Sequence, residues 1–115
     1  KNVEKILKNR IDDHLLSVPA ARDAGVLICL GTDSVIGPIG RAVDELESLV
    51  ATGLTPSHAL QAGTVNGAKL LQLDDRGRVA VGLKADLLVV PGRPDQDITC
   101  VGQPTHVFRS GVLVS

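Results

Sequence analysis

Aromatic side chains are nearly absent. The 115 residues contain one phenylalanine, Phe108, and no Trp, Tyr or Met. A chain this poor in rings lacks the stacking platforms that grip single-stranded nucleic acid. An excess of charge is missing too: twelve basic and thirteen acidic residues leave a formal net charge of -1. No electrostatic field then draws the chain to nucleic acid or to an anionic bilayer. Apolar runs fall far short of the ~18–20 residues that cross a membrane. Cysteine is scarce: Cys29 and Cys100 stand far apart and in no metal-ligating spacing. Cys29, inside an apolar run, reads as a buried free thiol in a reducing, cytoplasmic compartment. No P-loop, GxGxxG, nucleophile elbow, HxH or HExxH is present, and Ser34, Ser57 and Ser110 lack an evident His/Asp partner set. Nucleotide cradling and serine-nucleophile chemistry therefore have no support.

What is present is a core-forming supply of Leu, Val, Ile and Ala, with 43% hydrophobic residues in one domain's length of chain. Val3, Ile6, Leu7, Ile11 and Leu15 recur at helical spacing and predict a helix over 2–16. Ser17 then reads as an N-cap, with Pro19 in the first turn of a short helix ending at Gly25. Val26–Leu30 is a continuous apolar run, the pattern of a strand buried on both faces of a parallel sheet. After a Gly- and Pro-rich loop, Arg41–Thr52 predicts an amphipathic helix with Val43, Leu46, Leu49 and Val50 as its stripe. Thr55-Pro56 is a strong helix start. A break at Gly63-Thr64 separates this helix from a second over Val65–Gln72, and small residues (Ala59, Ala62, Gly63, Gly67, Ala68) imply close approach to a neighbour.

The character changes after Leu73. A turn at Asp74–Gly77 leads to short predicted strands at Arg78–Val81, Ala85–Val90, His106–Arg109 and Val112–Ser115. Ser110-Gly111 suits a two-residue hairpin turn. Pro91–Pro104 reads as a polar connection. The chain thus divides into residues 1–73, α/β in pattern, and residues 74–115, a set of strands.

Asp33 is the first candidate for chemistry. It follows the buried run in GVLICLGTDS. At the carboxyl end of a parallel strand a side chain faces the mouth of the sheet, where α/β active sites sit. Gly-Thr-Asp-Ser is also good turn or helix-capping chemistry, so both readings stand on spacing alone. Thr32 and Ser34 could orient the carboxylate or simply bond to backbone. His14 falls near a helix end, His58 at the third position of a helix and His106 at the start of a strand. None pairs with another, and a catalytic zinc usually wants about three protein ligands.

Several motifs in order carry a resemblance. GVLICLGTDS, ELESLVATGLTPSHALQAGTVNGAKLLQL, DDRGRVAVGLKADLLVVPGRPDQDI and HVFRSGVLV resemble the C-terminal end of a metal-dependent amidohydrolase. The similarity is to the imidazolonepropionase-like and prolidase-like branch, over roughly residues 17–115. It implies the C-terminal part of a (β/α)8 barrel, with residues 74–115 contributing strands to a small β-sandwich. It implies that Asp33 is both metal ligand and catalytic proton acceptor, and that the cofactor is a divalent metal, with zinc the first candidate. It implies that Asp86, in the Ala-Asp-Leu motif, is structural. The substrate would be a small amide, cyclic amide or imide, or an Xaa-Pro dipeptide.

The chain departs from the pattern in specific places. The family's other metal ligands, an HxH, a lysine or glutamate and two more histidines, belong to earlier strands and have no counterparts here. A full barrel takes ~200 residues or more. Leu71-Gln72 stands where the pattern has Leu-Gly, and Val35–Arg41 carries no histidine. The expectation is therefore a C-terminal portion, inactive by itself, completed by the missing N-terminal part or by homo-oligomer formation. The alternative is a non-catalytic module that self-associates or pairs with another chain, because a lone parallel strand leaves its edges open.

Overall fold

The computed structural model describes residues 2–32 and 42–115, and between residues 2 and 14 it describes side chains only at Glu4, Lys8 and Asp13. The first element, α1, is one helix of 22 residues, Asn2–Asp23, with Pro19 inside it. This corrects the expected break at Ser17. Proline removes one ladder donor and usually kinks a helix interior. Here its ring lies near the turn that follows the next helix: Pro19 Cγ would be 3.6 Å from a β-carbon on Gly53. Gly25 ends α1, with φ +79°. Its N–H donates to Arg22 O at 2.9 Å and Val26 N–H donates to Ala21 O at 2.9 Å. This pair of bonds satisfies the last carbonyls through a left-handed residue that only glycine adopts without strain.

Residues 26–32 carry no regular secondary structure and have no strand partner among the described residues. The expected strand, buried on both faces, is not formed. Val26 and Leu27 are exposed, while Ile28 and Leu30 are half-buried against the core. A parallel strand takes its hydrogen bonds from neighbours, and here helices supply them, as described below.

Helix α2, Ala42–Ala51, and helix α3, Pro56–Gly63, pack together and enclose the core. Thr55 caps α3 by accepting from His58 N–H, with Pro56 at the first helical position, as the sequence pattern predicts. Helix α4, Val65–Leu70, follows a break at Thr64, where φ is -127° and ψ -96°. The core comprises Leu46 and Leu49 from α2, Leu54 from the link between α2 and α3, Ala59 and Ala62 from α3, and Ile98. Ala59 and Ala62 are fully buried, and a β-carbon on Gly63 would lie 3.4 Å from Leu30 Cδ2. The small residues therefore do mark a close approach. Ile98 comes from a 3₁₀ helix, Ile98–Gly102, inside the expected plain connection. Asp97 caps it by accepting from Thr99 N–H, and a β-carbon on Gly102 would meet Val43 Cγ1 at 3.3 Å.

The C-terminal third forms a three-stranded antiparallel sheet in the order β1 (Leu87–Val89), β2 (His106–Arg109), β3 (Val112–Leu113). The register pairs Leu88 with Val107 and Phe108 with Leu113. Ser110 and Gly111 have φ +50° and +81°, the left-handed pair of a type I′ hairpin turn. The expected strand at Arg78–Val81 is absent. Those residues are in turns and loop, and Val79 and Val81 project fully into solvent. Their alternation suits a strand, but no partner strand lies beside them among the described residues.

Candidate functional site

Asp33, the first candidate from the sequence, lies outside the described residues, as do Ser34 and residues 35–41. What is described is the chain leading to it. Thr32 is exposed, and Cys29 is a half-buried free thiol. Hydrogen bonds tie Ile28 and Leu30 to helices α3 and α4. Leu30 N–H donates to Ala62 O at 3.0 Å, and Asn66 Nδ2 donates to Ile28 O at 2.8 Å. Ala62 lies in the last turn of α3 and Asn66 in the first turn of α4, so the break at Thr64 puts both groups beside the segment. Asn66 falls inside the motif that runs from α2 through α4, where its residue type alone carried no assigned role. A polar amide just after a helix break, within a run of small apolar residues, was the available signal.

The histidines do not converge on this segment. His58 Nδ1 is 2.9 Å from Thr55 Oγ1, inside the cap of its own helix. His106 Nδ1 is 3.2 Å from Thr105 Oγ1, and its ring stacks on Phe108 at 6.4 Å between centroids. The His14 side chain is outside the described set. Among the described residues, no three His, Cys, Asp or Glu side chains gather closely enough to hold a metal ion. The described residues alone therefore do not fit a metal centre.

Asp86 is placed as a structural carboxylate. Its Oδ1 accepts from Ser110 N–H at 2.8 Å, fixing the hairpin turn, and its Oδ2 meets Arg76 Nη1 at 3.2 Å. Arg76 also donates through Nε to Asp75 at 2.9 Å, and Lys84 Nζ meets the other oxygen of Asp75 at 2.6 Å. The Arg76 guanidinium, then the Lys84 ammonium, hold the Asp75 carboxyl down to about 2. This network joins the turn after α4 to the start of β1 and to the hairpin. Beside it lies an open groove of about 390 Å³, its lining including the apolar Val65, Ala68 and Leu73 and the basic Lys69, Arg76 and Arg78. No histidine or cysteine lines it.

Comparison with known proteins adds what the geometry leaves open. The profile of the amidohydrolase family matches residues 5–114. An ochratoxinase from Aspergillus niger is 35% identical over 108 residues, covering 89% of this chain and 22% of its own length. An imidazolonepropionase from Deinococcus deserti is 38% identical over 110 residues, covering 86% of this chain and 28% of its own length. A Xaa-Pro dipeptidase solved with bound methionine in its active site superposes with a TM-score of 0.80 at 32% identity, over 86% of this chain and 25% of that one. The chain thus spans about a quarter of the length of the relatives it matches.

Proposed function

This chain belongs to the amidohydrolase family, in its imidazolonepropionase-like and prolidase-like branch, and from that premise we propose that it is the C-terminal portion of a hydrolase of C–N bonds. In this reading residues 1–73 supply the last strand and helices of a (β/α)8 barrel, and residues 74–115 supply strands of a small β-sandwich. The observation that carries the reading is the combination of a TM-score of 0.80 at 32% identity with coverage of only 25% of that enzyme. The open apolar surface also supports it: Val79, Val81, Leu70 and Leu71 are each more than half exposed, which an unpartnered domain rarely tolerates in quantity.

The bond broken would be an amide, a cyclic amide or imide, or an Xaa-Pro bond in a small molecule. Asp33 is the residue proposed to act. As a general base it would take a proton from water as the water oxygen bonds to the carbonyl carbon. It would return that proton to the nitrogen as the C–N bond breaks. Thr32 and Ser34 are proposed to orient it. A divalent metal, zinc first, is the cofactor this family membership suggests. Its remaining ligands would come from outside this chain, since the described residues assemble no set of their own. The compartment is proposed to be the cytoplasm; no helix of the described residues is long and apolar enough to cross a membrane.

A chimera tests this. The matching quarter of the Xaa-Pro dipeptidase is replaced by this chain, and hydrolysis of an Xaa-Pro dipeptide is followed. Activity that disappears on Asp33→Ala supports the proposal. A folded chimera whose activity ignores that substitution refutes the role of Asp33.

A further inference from the structure

We propose that Asn66 is a positioning residue: with the Ala62 carbonyl it forms a clamp that replaces one residue of a neighbouring parallel strand and fixes residues 26–32. In a parallel pair, the C=O of residue i and the N–H of residue i+2 point to the same edge. Both bond to a single residue of the neighbour, through its N–H and its C=O. Ile28 O and Leu30 N–H are such a pair, and they receive Asn66 Nδ2 at 2.8 Å and Ala62 O at 3.0 Å. One side-chain donor and one main-chain acceptor thus reproduce the two bonds of a strand residue placed opposite Cys29.

The helix break makes the clamp possible. In an unbroken helix the carbonyl of residue 62 would accept from residue 66. At Thr64 the backbone leaves helical geometry, with φ -127° and ψ -96°, and Ala62 O accepts from Leu30 instead. The carbonyl of Leu60 is taken by Thr64 Oγ1 at 2.6 Å. Apolar contact backs the two bonds: Leu30 packs over Gly63, where a β-carbon would lie 3.4 Å from its Cδ2. Alanine at 66 would leave the half-buried Ile28 carbonyl without its partner. Aspartate would keep the shape and remove the donor.

The link to Asp33, three residues past Leu30, rests on the functional reading proposed above. The clamp itself does not, because it is read at Leu30 and Cys29. The test uses the full chain as wild type, Asn66→Asp and Asn66→Ala. Residue-resolved amide exchange is followed at Leu30 and at Leu49 in the core, with thiol labelling of Cys29 and Cys100 quantified by peptide mass spectrometry. The expected result is about tenfold faster exchange at Leu30 in both variants, the factor that one lost net hydrogen bond implies. Cys29 labelling should accelerate in step, with Leu49 and Cys100 unchanged. Unchanged exchange at Leu30 would overturn the clamp. Equal acceleration at all four sites would overturn it as well, since Asn66 would then serve only general stability. The same comparison in the chimera separates the two ideas. Loss of kcat with KM retained in Asn66→Asp ties the clamp to Asp33. Full activity in Asn66→Asp beside an inactive Asp33→Ala removes the tie and leaves the function standing.

Discussion

Gln72 occupies a backbone position that suits glycine, and replacing it should stabilise the chain. Helix α4 ends in the same bonding pattern as α1. Gln72 N–H donates to Lys69 O at 3.2 Å and Leu73 N–H donates to Ala68 O at 2.9 Å. Gln72 sits between them with φ +56°. At the equivalent positions after α1 and α2 the chain has Gly25 and Gly53, with φ +79° and +102°. The left-handed conformation costs an L-residue about 1–2 kcal/mol. Glycine relieves that strain, and the greater freedom of the unfolded chain offsets about 0.4–1 kcal/mol of the gain. Gln72 is exposed, so little packing is lost. Gln72→Gly should therefore gain roughly 0.5–1 kcal/mol net. That is a rise of about 2–5 °C in Tm for a domain of this size. Thermal unfolding by circular dichroism at low protein concentration measures it, with Gly53→Ala as the converse substitution, expected to lower Tm. A Gln72→Gly variant that melts at or below wild type would refute the reasoning about this helix end.

Three further outcomes are expected. Gly77 has φ +94°, and a β-carbon there would lie 2.7 Å from Ala68 Cβ and 3.3 Å from Thr64 O; Gly77→Ala should cost about 2–4 kcal/mol by urea unfolding, from strain and overpacking together, and a loss below about 1 kcal/mol would contradict the contact. The Asp75 carboxyl is held at about 2 against the usual 3.8, by Arg76 and then Lys84. A lowered folded-state pKa gives stability that is present above about pH 4 and lost as pH falls toward 2; Asp75→Asn should flatten the unfolding midpoint across that window, and an unchanged slope would show that the network holds no differential charge. With Val79, Val81, Leu70 and Leu71 bare, sedimentation velocity should show mass rising with concentration for the isolated chain; a monomer with a sharp cooperative melt at all concentrations would show that this surface needs no cover.

The local signals in the sequence were legible where they are satisfied within the chain. Thr55-Pro56 starts α3, the Gly63-Thr64 pair separates α3 from α4, and Ser110-Gly111 turns the hairpin, each as its residue chemistry dictates. Proline at 19 misled, because propensity favours a helix start there while the chain continues one long helix through it, with the proline ring near the Gly53 turn. Val26–Leu30 and Arg78–Val81 carry strand patterns, but a strand is a property of a pair, and no partner strand is present among the described residues. The 3₁₀ helix at Ile98–Gly102 rests on one buried side chain, Ile98, and one cap, Asp97, too short for periodicity to reveal. Of the candidate site, Asp33 stood out as a carboxylate after an apolar run and took its expected role from the order of the motifs around it. Asn66 was visible only as a letter in a motif, since its contact spans thirty-eight residues of sequence.

Asp33 is proposed as the site carboxylate of a metal-dependent hydrolase whose other ligands lie outside this chain. The most direct measurement is elemental mass spectrometry of the dipeptidase chimera, wild type and Asp33→Ala, in parallel with its hydrolysis rate. A stoichiometric divalent metal is expected in the first protein, and loss of both metal and hydrolysis in the second. Equal metal content and equal hydrolysis in the two proteins would contradict it.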